Sequence, residues 1–562
     1  MSELVIHPGL VLIGGAFVLP WLHGRTRSAA VLLLPLIALA SVWTLPDGAV
    51  WQVHFLDLVL TPLEGGKLGR LFATIFAIMA FGGGLFALGQ KSRVELSAAM
   101  LYAGAAIGVA LAGDLVTVFI FWEVMAIGST LVLWSAGTPA SYRASMRYLM
   151  IHLAGGVLLF AGVTGHVAST GDVAFARMDT DSVAHWLIFA GFLVNAGAPP
   201  LSAWLPDAYP EASWSGTVFL SAFTTKAAVY VLLRGFPGHE LLIWVGLFMV
   251  FYGIVYALLE NDMRRILAYS IVNQVGFMLA GIGIGTEMAL NGAAAHAFTH
   301  IIYKALLLMS AGSVLYVTGR RKCSELGGLF HSMPLTTICG SIGALAISSF
   351  PLTSGFISKS MVSQAASDGG LLIVWLLLTA ASAGVFLHAG IKFPWFVFFQ
   401  KDSGLRPPEP PASMRWAMVL FALLCIALGV WTEPLYALLP YGVDYVPYTA
   451  AHVVTQLQLL LFSGLAFFLL LPWLKRTLTI TLDGDWIYRR FLPRWVRFGS
   501  RGFDTLRGGV GRATTAALGW ALFQIEQRSG PQGALGSTWP IRSMALWVLV
   551  LLIAYLGFYY GG

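Results

Sequence analysis

Apolar residues in this chain come in blocks of about twenty, and the polar residues gather between the blocks. Sixteen runs have helix length: 4–21, 29–45, 68–89, 95–112, 114–135, 144–168, 184–203, 215–234, 240–259, 264–285, 289–317, 333–364, 371–399, 414–436, 451–474 and 542–560. The prediction is an all-α polytopic membrane protein with about 14–16 transmembrane helices. Two runs carry helix breakers. NAGAPP (195–200) places Pro199 and Pro200 just after Asn195, and FPLTSG (350–355) contains Pro351 and Gly355. Proline removes a backbone donor and frees a carbonyl, which is tolerated at membrane depth only where protein or water covers it. The two broken runs are the fourth members of successive five-helix sets, so helix order predicts two inverted five-helix repeats, 95–235 and 240–400. Around them lie N-terminal helices (1–94), further core helices (414–474), a basic segment (475–541) and a terminal helix (542–562).

Composition agrees. Of 562 residues, 58% are hydrophobic and 10% charged, against about 25% charged in soluble domains. Numbered in order, the odd connections carry most of the Lys and Arg, including Arg25, Lys91, Arg143, Arg264, Arg320 and Lys401. The even connections carry only Lys67, Arg70, Arg177 and Arg234, with Asp172, Asp179, Asp181 and Asp444. The positive-inside rule makes the odd loops cytoplasmic and puts both termini on the non-cytoplasmic side. No basic leader with a small-residue cleavage site precedes the first apolar run, so no removable signal peptide is expected. In 475–541, basic residues such as Arg489, Arg494 and Arg497 interleave with Trp486, Phe491, Trp495 and Phe498. That spacing reads as an amphipathic helix on the cytoplasmic interface, the alternative being a solvated linker. Cys323, Cys339 and Cys425 show no metal-ligand spacing, and nothing resembles a phosphate loop, a dinucleotide fingerprint or a haem motif. No cofactor, metal or nucleic-acid partner is expected; the net charge of +7 fits cytoplasmic loops.

Against this background a few ionisable residues stand out inside apolar runs: Glu123, Lys226, His296, His300, Lys304, Lys359 and Lys392. A charge at the bilayer centre costs roughly 2.5–3.5 kcal/mol on insertion scales, so such residues mark ion or proton paths. Glu123 has no cation within a turn, and its partner must come from another helix. Lys226 is too deep to snorkel; a carboxylate approaching or leaving it would switch it between holding and releasing a proton. His296, His300 and Lys304 are spaced four and four, so they line one helix face over about 12 Å and form a candidate proton wire. Two histidines at that spacing suit a metal, but no third ligand follows at helical spacing. The bland alternatives are a structural carboxylate, a structural ion pair and, for His296 above all, a satisfied core histidine.

Several words resemble the antiporter-like subunits of respiratory complex I and of Mrp-type multi-subunit antiporters: FWEVM (121–125), WLPDAYPEA (204–212), TTKAAVY (224–230), ENDMRRILAYSIVNQVGF (260–277), HAFTHIIYKALLLMSAG (296–312), GGL (327–329) and FPLTSGFISKS (350–360). The resemblance covers about residues 60–400; LDGDWIYRR (482–490) is similar to the region after the core helices in longer members. It implies an antiporter-like subunit fold. Glu123 matches the family's coupling glutamate, Lys226 its central-helix lysine, His300 and Lys304 its wire, and Lys359 its terminal-channel lysine; Lys392 corresponds to Lys226 in helix order. Asn195 stands where the family usually has lysine, and Ser202 where it usually has histidine. The implied function is a proton-translocating subunit, most like the D-type, of an Mrp-type monovalent cation/proton antiporter in the cell inner membrane. Its implied partners are other membrane subunits and the lipid bilayer, with protons and sodium as the ions. The second reading is the same fold in another machine: a complex I or membrane hydrogenase arm, or an inorganic-carbon uptake system. A third, a membrane transferase enzyme, needs clustered acids for a metal-bound diphosphate, for which Asp207 and Glu211 are the one candidate.

Overall fold

The computed structural model describes residues 5–472, 483–530, 533 and 540–560; the side chains of residue 499 and of 501–510 are outside that description. Among the described residues, thirteen helices are long and apolar enough to cross a membrane. Three shorter apolar helices, Pro8–Trp21, Val183–Ala196 and Pro334–Ile347, account for the remaining expected runs. The chain is a multi-pass, mostly helical membrane protein. Residues Met1–Asp485 form one compact unit and Trp486–Gly562 a second.

In the first unit, Gly216–Gly235 and Met263–Ile284 are surrounded by other helices along their whole apolar stretch, whereas most of Gly24–Trp43 and Ala450–Leu470 is left uncovered. Polar side chains on the enclosed helices avoid lipid. Close packing comes from glycine. A Cβ on Gly246 would lie 2.4 Å from the Gly276 carbonyl oxygen, and one on Gly276 would lie 2.5 Å from that of Gly246. The helices Leu241–Leu259 and Met263–Ile284 thus meet backbone to backbone, as small residues allow in membranes.

Both proline-marked interruptions are present. Val183–Ala196 ends at Gly197 (φ +79°), and the chain restarts at Trp204–Ala208 beyond the prolines. The run read as 333–364 is two helices, Pro334–Ile347 and Ser354–Asp368. The structure adds a third break. The run read as continuous at 215–234 is Gly216–Leu220 followed by Thr224–Gly235. No proline marks it; the intervening residues are Ser221, Ala222 and Phe223. The run at 371–399 widens into π-helical turns at Phe386–Lys392 and Trp395–Phe399, and that at 414–436 stops at Val430.

One element lies outside an all-helical reading: an antiparallel hairpin, Gly48–Phe55 paired with Leu58–Gly65 around a two-residue turn where Leu56 has φ +52°. It braces two helix ends. The Thr61 amide donates to Asp114 at 2.7 Å, and Glu64 pairs with Arg234 at 2.6 Å.

In the second unit, Leu492–Ser529 is one continuous helix of 38 residues, about 57 Å long. None of its described residues is fully buried, and Trp486, Phe491, Trp495 and Phe498 contact one another in sequence. Of the basic segment read at 475–541, residues 475–482, 531–532 and 534–539, and the side chains of Arg501, Phe503, Leu506 and Arg507, lie outside the described residues.

Gly276→Val should destabilise the first unit by about 3 kcal/mol, because the added carbons meet backbone rather than a movable side chain. Gly14→Val, with nothing near its Cβ position, should be neutral. Thermal unfolding of the detergent-solubilised protein checks the pair, and equal melting temperatures would refute the packing argument.

Candidate functional site

The helix Glu287–Thr318 carries His296, His300 and Lys304, all buried. Thr286 caps its start by accepting from the Ala289 amide at 3.3 Å. The rings of His296 and His300 are 6.1 Å apart, as one helical turn requires. His296 is satisfied: Nδ1 lies 3.3 Å from Ser358 Oγ and Nε2 3.5 Å from the Tyr303 hydroxyl. His300 and Lys304 differ: among the described residues, neither His300 nitrogen nor Lys304 Nζ has a hydrogen-bond partner, although all are shielded from solvent.

Lys359 sits just past the second proline-marked break. Its Nζ donates to the Ile347 carbonyl at 3.4 Å and lies 4.7 Å from the centre of the Phe277 ring. It also borders a cavity of about 610 Å³ whose walls include Ser360, Gln364, Thr379, His452 and Gln456. Lys226 occupies the matching situation at the unforeseen break: Nζ donates to the Ser221 carbonyl at 2.7 Å and to Thr225 Oγ1 at 3.0 Å. His300 is within electrostatic reach of Lys226, His296, Lys304 and Lys359, and Lys226 is also within reach of His296 and Lys304. His388, fully buried and not singled out in the sequence, is within electrostatic reach of Lys304, Lys359 and Lys392. Among the described residues none of these bases forms a salt bridge.

Two expected members stand apart. Lys392 donates to the carbonyls of Ala257 (3.0 Å), Leu258 (2.6 Å) and Glu260 (2.5 Å), so all its protons are engaged at the end of Leu241–Leu259. Glu123 makes no ion pair with Lys226 in this structure. It is half-buried, on Leu115–Trp134, and its Oε1 has no hydrogen-bond partner. That carboxylate lies on bare backbone of the next helix: a Cβ at Gly156 would be 2.0 Å from Oε1. Glu95, another carboxylate missed in the sequence, provides the contrast. It accepts from Ser213 (2.8 Å), Gln90 (3.1 Å), Ser135 (3.2 Å) and Ser215. A structural carboxylate is satisfied in this way; Glu123 is not.

Asn195, four residues before Pro199, accepts at Oδ1 from His152 Nδ1 at 2.7 Å. His152 is buried on Pro139–Thr170, with Tyr148 and Trp204 rings 4.0 and 4.6 Å away. It too was missed, although a lone histidine in an apolar run is the same signal that exposed Glu123. Asp207 is held by Arg147 through two hydrogen bonds of 2.7 and 2.8 Å, and Glu211 by Arg321 at 3.1 Å. The only acids considered for a diphosphate site are thus engaged by arginines. Among the described residues no group of three or more His, Cys, Asp or Glu side chains could hold a metal ion.

Comparison with known proteins bears on the same region. Residues 112–385 match the family model described as NADH:quinone oxidoreductase/Mrp antiporter, TM. An uncharacterised protein of Mycobacterium tuberculosis is 30% identical over 76% of this chain and 72% of its own length. The D-type subunit of the Na(+)/H(+) antiporter of Alkalihalophilus pseudofirmus is 27% identical over 78% of this chain and 95% of its own. Among solved structures, a chain of the Mrp complex from Dietzia sp. superimposes with a TM-score of 0.75 at 24% identity, over 91% of this chain. This chain spans 62% of that longer one, and the likeness speaks for the fold.

Gly156→Ala should displace the Glu123 carboxylate, because the methyl would occupy the place of Oε1. The expected result is a loss of activity approaching that of Glu123→Gln, with folding changed by about 1 kcal/mol or less, since alanine favours helix over glycine. Proton movement in vesicles, read beside a melting curve, checks this. Full activity in Gly156→Ala would mean that the carboxylate position is unimportant.

Proposed function

The chain belongs to the NADH:quinone oxidoreductase/Mrp antiporter family, as a transporter-type membrane subunit rather than an enzyme, and from that premise we propose that it translocates protons within an Mrp-type monovalent cation/proton antiporter. One observation carries the reading: a row of buried bases, Lys226, His300, Lys304 and Lys359, with no carboxylate among them. Two unit charges about 8 Å apart repel by roughly 2 kcal/mol at an effective dielectric constant near 20. A proton arriving on one base therefore weakens the hold of the next, and water must reach His300 and Lys304 to relay it. His300 supplies an imidazole that can take up and release a proton, and Lys359 hands protons to the polar cavity beside it.

Charge placement supports a direction. The cavity extends from Lys359 toward Ser367 and Thr449, which flank even-numbered connections poor in Lys and Arg. By the positive-inside rule that face is non-cytoplasmic, with both termini on it, in a cell inner membrane. Partner membrane subunits fit the family, and sodium is the candidate counter-ion. The competing reading, the same fold in a respiratory or carbon-uptake complex, would use the same row of bases. The D-type relative and the fold likeness to a chain of an Mrp complex support the antiporter.

Glu123→Gln should abolish proton transport in vesicles while the protein reaches the membrane at its normal level. Lys226→Ala should do equal damage, and the double variant little more, because residues acting as one unit are not additive. Independent, additive losses would show that the two act separately.

Ser363→Cys, within the cavity beside Lys359, should react with a membrane-impermeant thiol reagent applied from the non-cytoplasmic side. Labelling only from the cytoplasmic side would reverse the proposed direction.

A further inference from the structure

We propose that His152 is the proton carrier of the first half, standing between Glu123 and the hydroxyls that lead to Lys226. This rests on the proton-transport reading above and adds a residue and a route to it.

The placement comes from three contacts. Glu123 Oε1 lies over Gly156, and His152 is four residues earlier on the same helix, hence on the same face about one turn away. On the other side, His152 packs on Tyr148, whose hydroxyl donates to Ser129 at 3.0 Å and lies 3.2 Å from Thr224 Oγ1. Thr224 adjoins Thr225, which accepts from Lys226 Nζ at 3.0 Å. Carboxylate, imidazole, phenol, hydroxyls and ammonium therefore follow one another across the helices of the first half.

The hydrogen bonding of His152 suits a carrier. Nδ1 is taken by Asn195 Oδ1, an acceptor, which fixes the hydrogen on Nδ1 and leaves the Nε2 lone pair free. Nε2 is buried and has no partner, as has the Asn195 amide nitrogen. A histidine kept only for packing would have both nitrogens satisfied, as His296 has. Asn195 cannot itself take up a proton; it holds the imidazole in the tautomer that can. The step moves protons only. A protonated Glu123 gives its proton, through water, to His152 Nε2, leaving a carboxylate and an imidazolium. The imidazolium then releases the Nε2 proton toward the Tyr148 and Thr224 hydroxyls and returns to neutral. Among the described residues, the other titratable or charged groups around it include Tyr102, whose hydroxyl is 2.6 Å from Thr224 Oγ1, Tyr209, beyond Trp204, and the pair of Arg147, on its own helix, with Asp207.

The test uses vesicles holding the whole assembly, and the full-length chain in liposomes with ¹⁵N-labelled histidine. His152→Gln should lower proton transport at least about tenfold. The His152 nitrogen signals, identified by their absence from the His152→Gln spectrum, should pass from neutral to imidazolium between about pH 9 and about pH 3. Asn195→Lys, which puts an ammonium beside the vacated position, should restore part of the transport lost in His152→Asn. Transport at the normal rate in His152→Gln would overturn the proposal. So would a His152 that stays neutral over the whole range in liposomes that transport. If Glu123→Gln also transports normally, the broader proton-transport reading falls with it; if Glu123→Gln is inactive, only the role of His152 is lost.

Discussion

The structure depends on one constraint: an ammonium buried among helices must find oxygen, and here it finds backbone rather than carboxylate. Lys226 donates to Ser221, which ends the half-helix Gly216–Leu220. Lys359 donates to Ile347, the last residue of Pro334–Ile347. Lys392 donates to three carbonyls at the end of Leu241–Leu259. Each lysine thus sits at the C-terminal end of a helix, where the last carbonyls lack intrahelical partners and the helix dipole presents its negative end. A carboxylate would hold a cation far more firmly, and a proton held that firmly does not move on.

Breaking helices in the middle of the bundle is what creates such ends at membrane depth. A continuous helix satisfies all its carbonyls and offers a buried lysine none. Lys304 shows what that means, for it lies within the unbroken Glu287–Thr318 and its Nζ has no protein partner. His300, one turn earlier, shares that condition. The two are the groups whose needs only water can meet, and His300 is within electrostatic reach of both Lys226 and Lys359, which backbone carbonyls support. In the proposed reading, carbonyl support for the lysines beside unsupported bases suits passing a proton rather than storing one.

Much of this was legible in the sequence. Helix number follows from apolar length, and the breaks at Pro199, Pro200 and Pro351 follow from a missing backbone donor. The i, i+4 spacing of His296, His300 and Lys304 fixes their common face. The break at Ser221–Phe223 was not legible, because no residue there forbids a helix; tertiary packing imposes it. The hairpin at 48–65 alternates weakly and was overshadowed by the neighbouring apolar runs. Lys392 looked like Lys226 in composition and helix order, yet only the fold shows its protons committed to a helix end. Glu95 and Glu123 are alike as letters, and their difference, four hydrogen bonds against an empty Oε1, exists only in three dimensions.

The two halves solve the problem differently, and the difference gives the chain a polarity. The second half brings together the buried bases His300, Lys304 and Lys359, with a polar cavity beside Lys359. The first half has an acid, Glu123, and a histidine held by a neutral amide. Transfer from a protonated carboxyl group to an imidazole turns two neutral groups into a carboxylate and an imidazolium, a pair that carries no net charge. In the proposed route the situation changes once the proton reaches Lys226. The next groups are all bases, and like-charge repulsion of roughly 2 kcal/mol, about a thirtyfold shift in occupancy, pushes the charge ahead. Coupling between halves then needs no moving part larger than a side chain. In the proposed route Lys226, tethered to the Ser221 carbonyl and within reach of His300, is the point where a relay without net charge becomes an electrostatic one.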